Sequence, residues 1–98
     1  VVTFANNEGA GSILAGLTIR NGLAPNGGGI DCNNSSPTIS NNVISGNAAA
    51  GAGGGIYCHD NSSPAITGNT ISGNTTDRDA SATHSQAFYV VGPEAPTL

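Results

Sequence analysis

The chain has 98 residues, of which 15 are glycine, only 4% are aromatic and 8% are charged. With no Met or Trp, this composition excludes a compact core of large side chains, and a chain of this length buries only about 60 to 65% of its unfolded surface. The formal net charge of −4, with two arginines and no lysine, argues against nucleic-acid partners, and no segment approaches the roughly 20 apolar residues of a membrane span.

Short strands with one buried face are predicted along the chain, because apolar residues alternate with polar ones. Val2 and Phe4 begin the pattern, and it returns 28 residues later at Ile30 and Cys32. Glycine runs and the SSP and GN pairs mark the turns between strands. Ala48 to Ala50 are followed too soon by glycines for a helix to propagate, and we interpret 48–50 as a loop.

A long internal repeat is the main signal. Residues 27–47 read GGGIDCNNSSPTISNNVISGN, and residues 53–74 read GGGIYCHDNSSPAITGNTISGN. Ile30 recurs as Ile56 after 26 residues and Ile39 as Ile66 after 27, while Ile19 precedes Ile44 by 25. The repeat therefore predicts stacked coils over 1–26, 27–52 and 53–86, with a partial coil at 87–98 aligned to 55–66.

A unit of this length with three short strands cannot bury its own apolar face, so equivalent units must stack into one core. On the motifs quoted above, the chain resembles the right-handed parallel β-helix repeat family, the pectate-lyase-like superfamily. The resemblance implies an all-β fold, a short right-handed parallel β-helix (solenoid) of about three to four coils, forming a single domain over 1–98. By resemblance alone the protein would be extracellular or surface-associated, and localisation is otherwise open.

Inward columns are predicted for Cys32 with Cys58 and for Asn42 with Asn69. The cysteines, one coil apart, favour a reduced core ladder, with a disulfide as the alternative; two thiols are too few for a metal site. The asparagines predict a ladder of amide hydrogen bonds. Asn47 and Asn74, each after a glycine, are interpreted as turn formers. No cofactor or metal is expected.

An outward column on the first strand of each coil carries the candidate binding residues. Asp31, Tyr57 and Tyr89 align there with Thr3, and His59 flanks them. Stacked tyrosines with an acid and a histidine nearby can hold a sugar ring by apolar contact and hydrogen bonds. The alternative is a cross-strand aromatic pair that only supports the sheet.

Catalysis is not expected. Glycoside hydrolysis needs two carboxyls about 5 to 9.5 Å apart, and Asp31 and Asp60, the only acids near this face, are a marginal pair. The sequence therefore favours a non-catalytic β-helix module that presents a side face to carbohydrate or protein. A fragment or remnant of a polysaccharide lyase or glycoside hydrolase is the alternative. Ice binding is a minor third hypothesis, because the outward column Thr18, Val43, Thr70 is broken by valine.

Assembly into a homo-oligomer is predicted from the coil ends. No capping element is visible at either end of the sequence, and an uncovered coil exposes apolar atoms and unpaired backbone groups. We expect a homodimer with residues 84–98 at its interface. The segment 77–79, Asp-Arg-Asp, lies in an insertion and is interpreted as a solvated loop, with a hard-cation site as the alternative.

Overall fold

The computed structural model describes residues 1–76 and the strand at 88–90. Every strand in this part is short, and no helix interrupts them. The strands are β1 Val2–Phe4, β2 Ile13–Ala15, β3 Thr18–Arg20, β4 Leu23–Asn26, β5 Ile30–Asn33, β6 Thr38–Ser40, β7 Val43–Ser45, β8 Ala48–Ala52, β9 Ile56–His59, β10 Ala65–Thr67, β11 Thr70–Ser72, β12 Thr75–Thr76 and β13 Phe88–Val90.

Four parallel sheets form the walls of the molecule. Sheet A has the order β1-β5-β9-β13, sheet B β2-β6-β10, sheet C β3-β7-β11 and sheet D β4-β8-β12. The chain thus visits each sheet once per turn and pairs with the turn before it, which is a parallel β-helix. The predicted all-β solenoid of about three to four coils is confirmed.

The predicted register is confirmed in three of the four walls. Ile30 pairs with Ile56 in sheet A, and Ile39 pairs with Ile66 in sheet B. In sheet C, Ile44 lies between Ile19 and Ile71. The alignment of the last segment also holds for the described backbone, where β13 pairs with β9 so that residue 89 lies opposite residue 57.

The prediction of three strands per coil was wrong, because the coil has a fourth strand. Residues 48–50, interpreted as a loop, belong to β8 (Ala48–Ala52), which pairs with β4 and β12. Alanine and glycine have low strand propensity, but the neighbouring backbone supplies the hydrogen bonds, as from the Ala48 amide to the Gly22 carbonyl at 2.9 Å. Tertiary pairing overrides local preference here.

The core is a narrow column of isoleucines and two cysteines. Ile30, Ile39, Ile44 and Ile56 are fully buried, and Val2, Phe4, Leu14 and Ile71 pack against them at the two ends of the described stack. Cys32 and Cys58 are stacked, fully buried and present as thiols, which is the reduced alternative.

Two asparagine ladders join the coils at the corners. In the predicted one, Asn42 donates through Nδ2 to Asn69 Oδ1 at 3.1 Å and accepts from the Leu17 amide at 3.0 Å. The second involves Asn47 and Asn74, whose side chains are buried and joined at 3.0 Å. Their interpretation as turn formers was incomplete, because they lie at a turn but their amides bond the coils together.

Tight corners precede sheet A in two coils. Gly53 has φ +65°, and a Cβ there would lie 2.6 Å from the Ile56 carbonyl oxygen. The glycine run is therefore required by close backbone packing, as its assignment to turn chemistry predicted.

Within the described residues, no helix is long and apolar enough to cross a membrane.

Candidate binding site on the outer face of sheet A

An open pocket of about 380 Å³ lies where the outer face of sheet A meets the end of sheet D. It is lined by Pro25, Asn26, Asp31, Tyr57 and His59. Three of these five residues belong to the binding site predicted from the sequence. The pocket is therefore the candidate functional site.

Strand alternation explains why the sheet A residues face outward. Asp31 lies between the buried Ile30 and Cys32 on β5, so its side chain points to the other face. Tyr57 is its register partner on β9, and His59 follows two residues later on the same face. Sheet A thus places a carboxylate, a phenol ring and an imidazole side by side.

The other wall of the pocket comes from an irregularity between β4 and β8. Ala24 pairs with Ala49 but Asn26 pairs with Ala52, so β8 carries one extra residue opposite Pro25. A proline cannot donate to the ladder, and such positions favour a bulge. Asn26 Oδ1 accepts the Ala52 amide at 2.9 Å, which fixes the asparagine at the rim.

The His59 imidazole lies between two carboxylates. Its Nε2 is 2.9 Å from Asp31 Oδ1, and its Nδ1 is 3.4 Å from Asp60 Oδ2. The Asp31 and His59 side chains are 23% and 22% exposed, whereas that of Asp60 is 70% exposed. A neutral imidazole carries one N–H only, so it can donate to one of these two carboxylates at a time, whereas an imidazolium can donate to both.

Burial raises the pKa of the Asp31 carboxyl above its ordinary value of 3.8. The contact with His59 opposes this effect, and the charge of Asp60 adds to it. Desolvation is the largest cause, so the carboxyl of Asp31 holds its proton more readily than an exposed aspartate does.

Tyr57 forms the apolar surface of the pocket. Its ring centroid is 4.7 Å from that of His59, and the two planes are inclined by 40°. This tilted contact holds the tyrosine ring against the imidazole. An aromatic surface bordered by hydrogen-bonding groups can accommodate a ligand with both an apolar face and hydroxyl groups.

In a comparison with protein-family models, the family model described as "Right handed beta helix region" matches residues 2–92. The chain belongs to the right-handed β-helix family. Comparisons with curated proteins and with solved structures gave no match.

In this β-helix protein, the structure brings together Asp31, Tyr57 and His59 as the alignment predicted. The backbone of residue 89 continues the same column, while its side chain lies outside the described residues. No three His, Cys, Asp or Glu residues in the described part of the chain are grouped so as to hold a metal ion.

Pro25 and Asn26 were not predicted from the sequence. A signal was present: Ile19 and Ile30 are 11 residues apart, but Ile44 and Ile56 are 12 apart. The extra residue is the β8 bulge that sets the rim of the pocket. The two-sided contact of His59 was not predicted either, because the sequence of a turn does not reveal the rotamers of its side chains.

Proposed function

We propose that this β-helix protein is a non-catalytic module that binds carbohydrate in the pocket between sheets A and D. The observation that carries the proposal is the grouping of the Tyr57 ring with hydrogen-bonding groups of Asp31, His59 and Asn26 around one open pocket. Sugar rings present an apolar face and equatorial hydroxyls, and such a mixed surface matches both.

The rigidity of the site supports binding. Asp31 is held by His59 at 2.9 Å and Asn26 by the Ala52 amide at 2.9 Å, so both polar groups are oriented by contacts within the protein. Both positions are on strands of a continuous stack rather than on a long loop. A pre-oriented site loses less conformational entropy when a ligand binds.

A glycan array probed with the wild-type chain and with Tyr57→Ala tests this function. We expect binding to at least one glycan class, and loss of the aromatic ring should weaken it by about tenfold or more. Thr3→Ala is the matched control, because Thr3 lies on the same outward column but outside the pocket. Absence of any glycan binding, or equal effects of both variants, contradicts the proposal; capture of a protein ligand instead supports a protein-contact face.

A second candidate function is polysaccharide cleavage by a remnant or piece of a lyase or glycoside hydrolase. One specific observation favours it, since Asp31 and Asp60 contact the same imidazole and the Asp31 carboxyl has a raised pKa. A carboxyl that retains its proton can act as a general acid. Assays on pectins and other glycans decide, and turnover no greater than that of Asp31→Ala removes this candidate.

A further inference from the structure

We infer that the pocket selects neutral and amino sugars and rejects glycans built from uronic acids. This inference rests on the proposed function and specifies the substrate class of the same site. It is carried by the charges around the pocket: Asp31 is in its lining, Asp60 is joined to it through His59, and no basic residue other than His59 lines it.

The cluster of Asp31, His59 and Asp60 carries a net negative charge in each state in which it holds no more than one titratable proton. With two carboxylates and a protonated imidazole the net charge is negative, and loss of the imidazolium proton makes it more negative. If Asp31 takes the proton instead, Asp60 still leaves a negative charge. A uronate carboxylate would therefore meet repulsion in each of these states, and the cluster becomes neutral only when it takes up a second proton, as when Asp31 and His59 are both protonated.

No described cation is placed to offset this charge. The chain has no lysine and only two arginines. Arg20 lies on β3 in sheet C, not in sheet A, and Arg78 lies outside the described residues. Recognition of a sugar carboxylate ordinarily uses a basic side chain, with arginine providing a bidentate pair. Among the lining residues the available partners, Asp31 and Asn26, can instead accept hydrogen bonds from hydroxyl or ammonium groups.

Three oligosaccharides with one backbone and different charge test the inference. The probes are cello-oligosaccharides, chitosan oligosaccharides as the amino counterpart, and oxidised cello-oligosaccharides in which the primary hydroxyls are carboxylates. Dissociation constants are measured by calorimetry at low ionic strength, because salt screens charge effects. We expect the amino form to bind most tightly and the uronate form to bind at least about fivefold more weakly than the neutral form.

Removal of one negative charge should reduce the discrimination between the amino and the uronate oligosaccharides. Asp31→Asn keeps the size of the side chain, and we expect it to lower the preference for the amino over the uronate oligosaccharide by about fivefold. Glu8→Gln is the matched control, since Glu8 is a carboxylate outside the pocket lining whose Oε1 accepts the Ala5 and Asn6 amides. The Glu8→Gln variant should keep the wild-type preference for the amino over the uronate oligosaccharide.

The outcomes separate this inference from the proposed function. Tighter binding of the uronate form, or equal preferences in Asp31→Asn and the wild type, overturns the charge selection while the carbohydrate function stands. Failure of all three probes to bind overturns the inference for this class of backbone. In that event, binding of another glycan on the array keeps the proposed function, and a blank array removes both.

Discussion

Substitution of Asn47 by alanine tests whether the second asparagine ladder stabilises the stack. Asn47 is 1% exposed, and its Oδ1 accepts the Gly22 amide at 2.8 Å. Its Nδ2 donates to the Ile19 carbonyl at 3.0 Å and to Asn74 Oδ1 at 3.0 Å. Alanine removes all three bonds and leaves the Gly22 amide and the Ile19 carbonyl without this partner.

The expected loss follows from those two backbone groups. A buried group left without its hydrogen bond costs about 1 to 3 kcal/mol. Because the bond to the Ile19 carbonyl is buried and the bond to the Gly22 amide only partly so, Asn47→Ala should lower the free energy of unfolding by about 2 to 5 kcal/mol. This is a large part of the roughly 5 to 15 kcal/mol that stabilises a typical domain. Urea denaturation followed by circular dichroism measures the change, and the dependence on urea should stay unaltered if both proteins unfold in two states.

Asn6→Ala provides the control, because Asn6 is exposed and donates to Glu8 Oε1 through its backbone amide rather than through its side chain. It should change the free energy of unfolding by no more than about 0.5 kcal/mol. A loss below about 1 kcal/mol for Asn47→Ala would refute the reasoning, because it would mean that water or a shift of the corner replaces the amide.

Four further changes have defined outcomes. Ile44→Asp buries an unpaired charge at a fully buried position and should abolish cooperative thermal unfolding. Gly53→Ala should lower the free energy of unfolding by about 1 to 3 kcal/mol, measured in urea, because φ is +65° and the new Cβ meets the Ile56 carbonyl; Gly9→Ala, with open space around it, should not. Because the pKa of Asp31 is raised in the folded state, the stability that its protonated carboxyl contributes is fully present below the ordinary value of 3.8 and is lost as pH rises through the higher folded value. Asp31→Asn has no carboxyl to titrate, so its free energy of unfolding should increase relative to that of the wild type over this rise in pH. Light scattering at micromolar concentration should show a homodimer, and deletion of residues 84–98 should convert it to a monomer or make it insoluble.

Contrary results are equally defined. An unchanged melting curve for Ile44→Asp would contradict its place in the central coil. Equal stabilities of the two glycine variants would contradict the tight corner, and parallel pH profiles for Asp31→Asn and the wild type would contradict the buried carboxyl. A monomeric wild type, with solubility that survives the deletion, would remove the predicted dimer.

Sequence periodicity predicts the walls of this fold well because each column repeats the same physical requirement. Ile30 and Ile56 occupy equivalent inward positions, and a shift of one residue would turn both to solvent. The fourth strand was harder to predict. β8 is made of alanine and glycine, whose side chains give no alternation, and it exists because β4 offers it backbone partners.

The candidate site was predictable only in part, for a related reason. Alignment places Asp31 and Tyr57 on one outward column, because strand register alone determines that proximity. The rim at Pro25 and Asn26 depends on a bulge in a different wall, and the contact between His59 and Asp60 depends on side-chain torsions at a turn. Neither the bulge nor the side-chain torsions can be predicted from the repeat of the sequence.

The asparagine ladders have a direction, because most of the bonds of each asparagine side chain run to the preceding coil. Asn42 donates to the Leu14 carbonyl and Asn47 to the Ile19 carbonyl, in each case back to the preceding coil. The first coil has Leu17 and Gly22 at the corresponding positions, and both offer their amides to the asparagines that follow. A coil emerging from the ribosome therefore finds these partners already synthesised, and only the bonds from Asn42 to Asn69 and from Asn47 to Asn74 wait for the coil that follows.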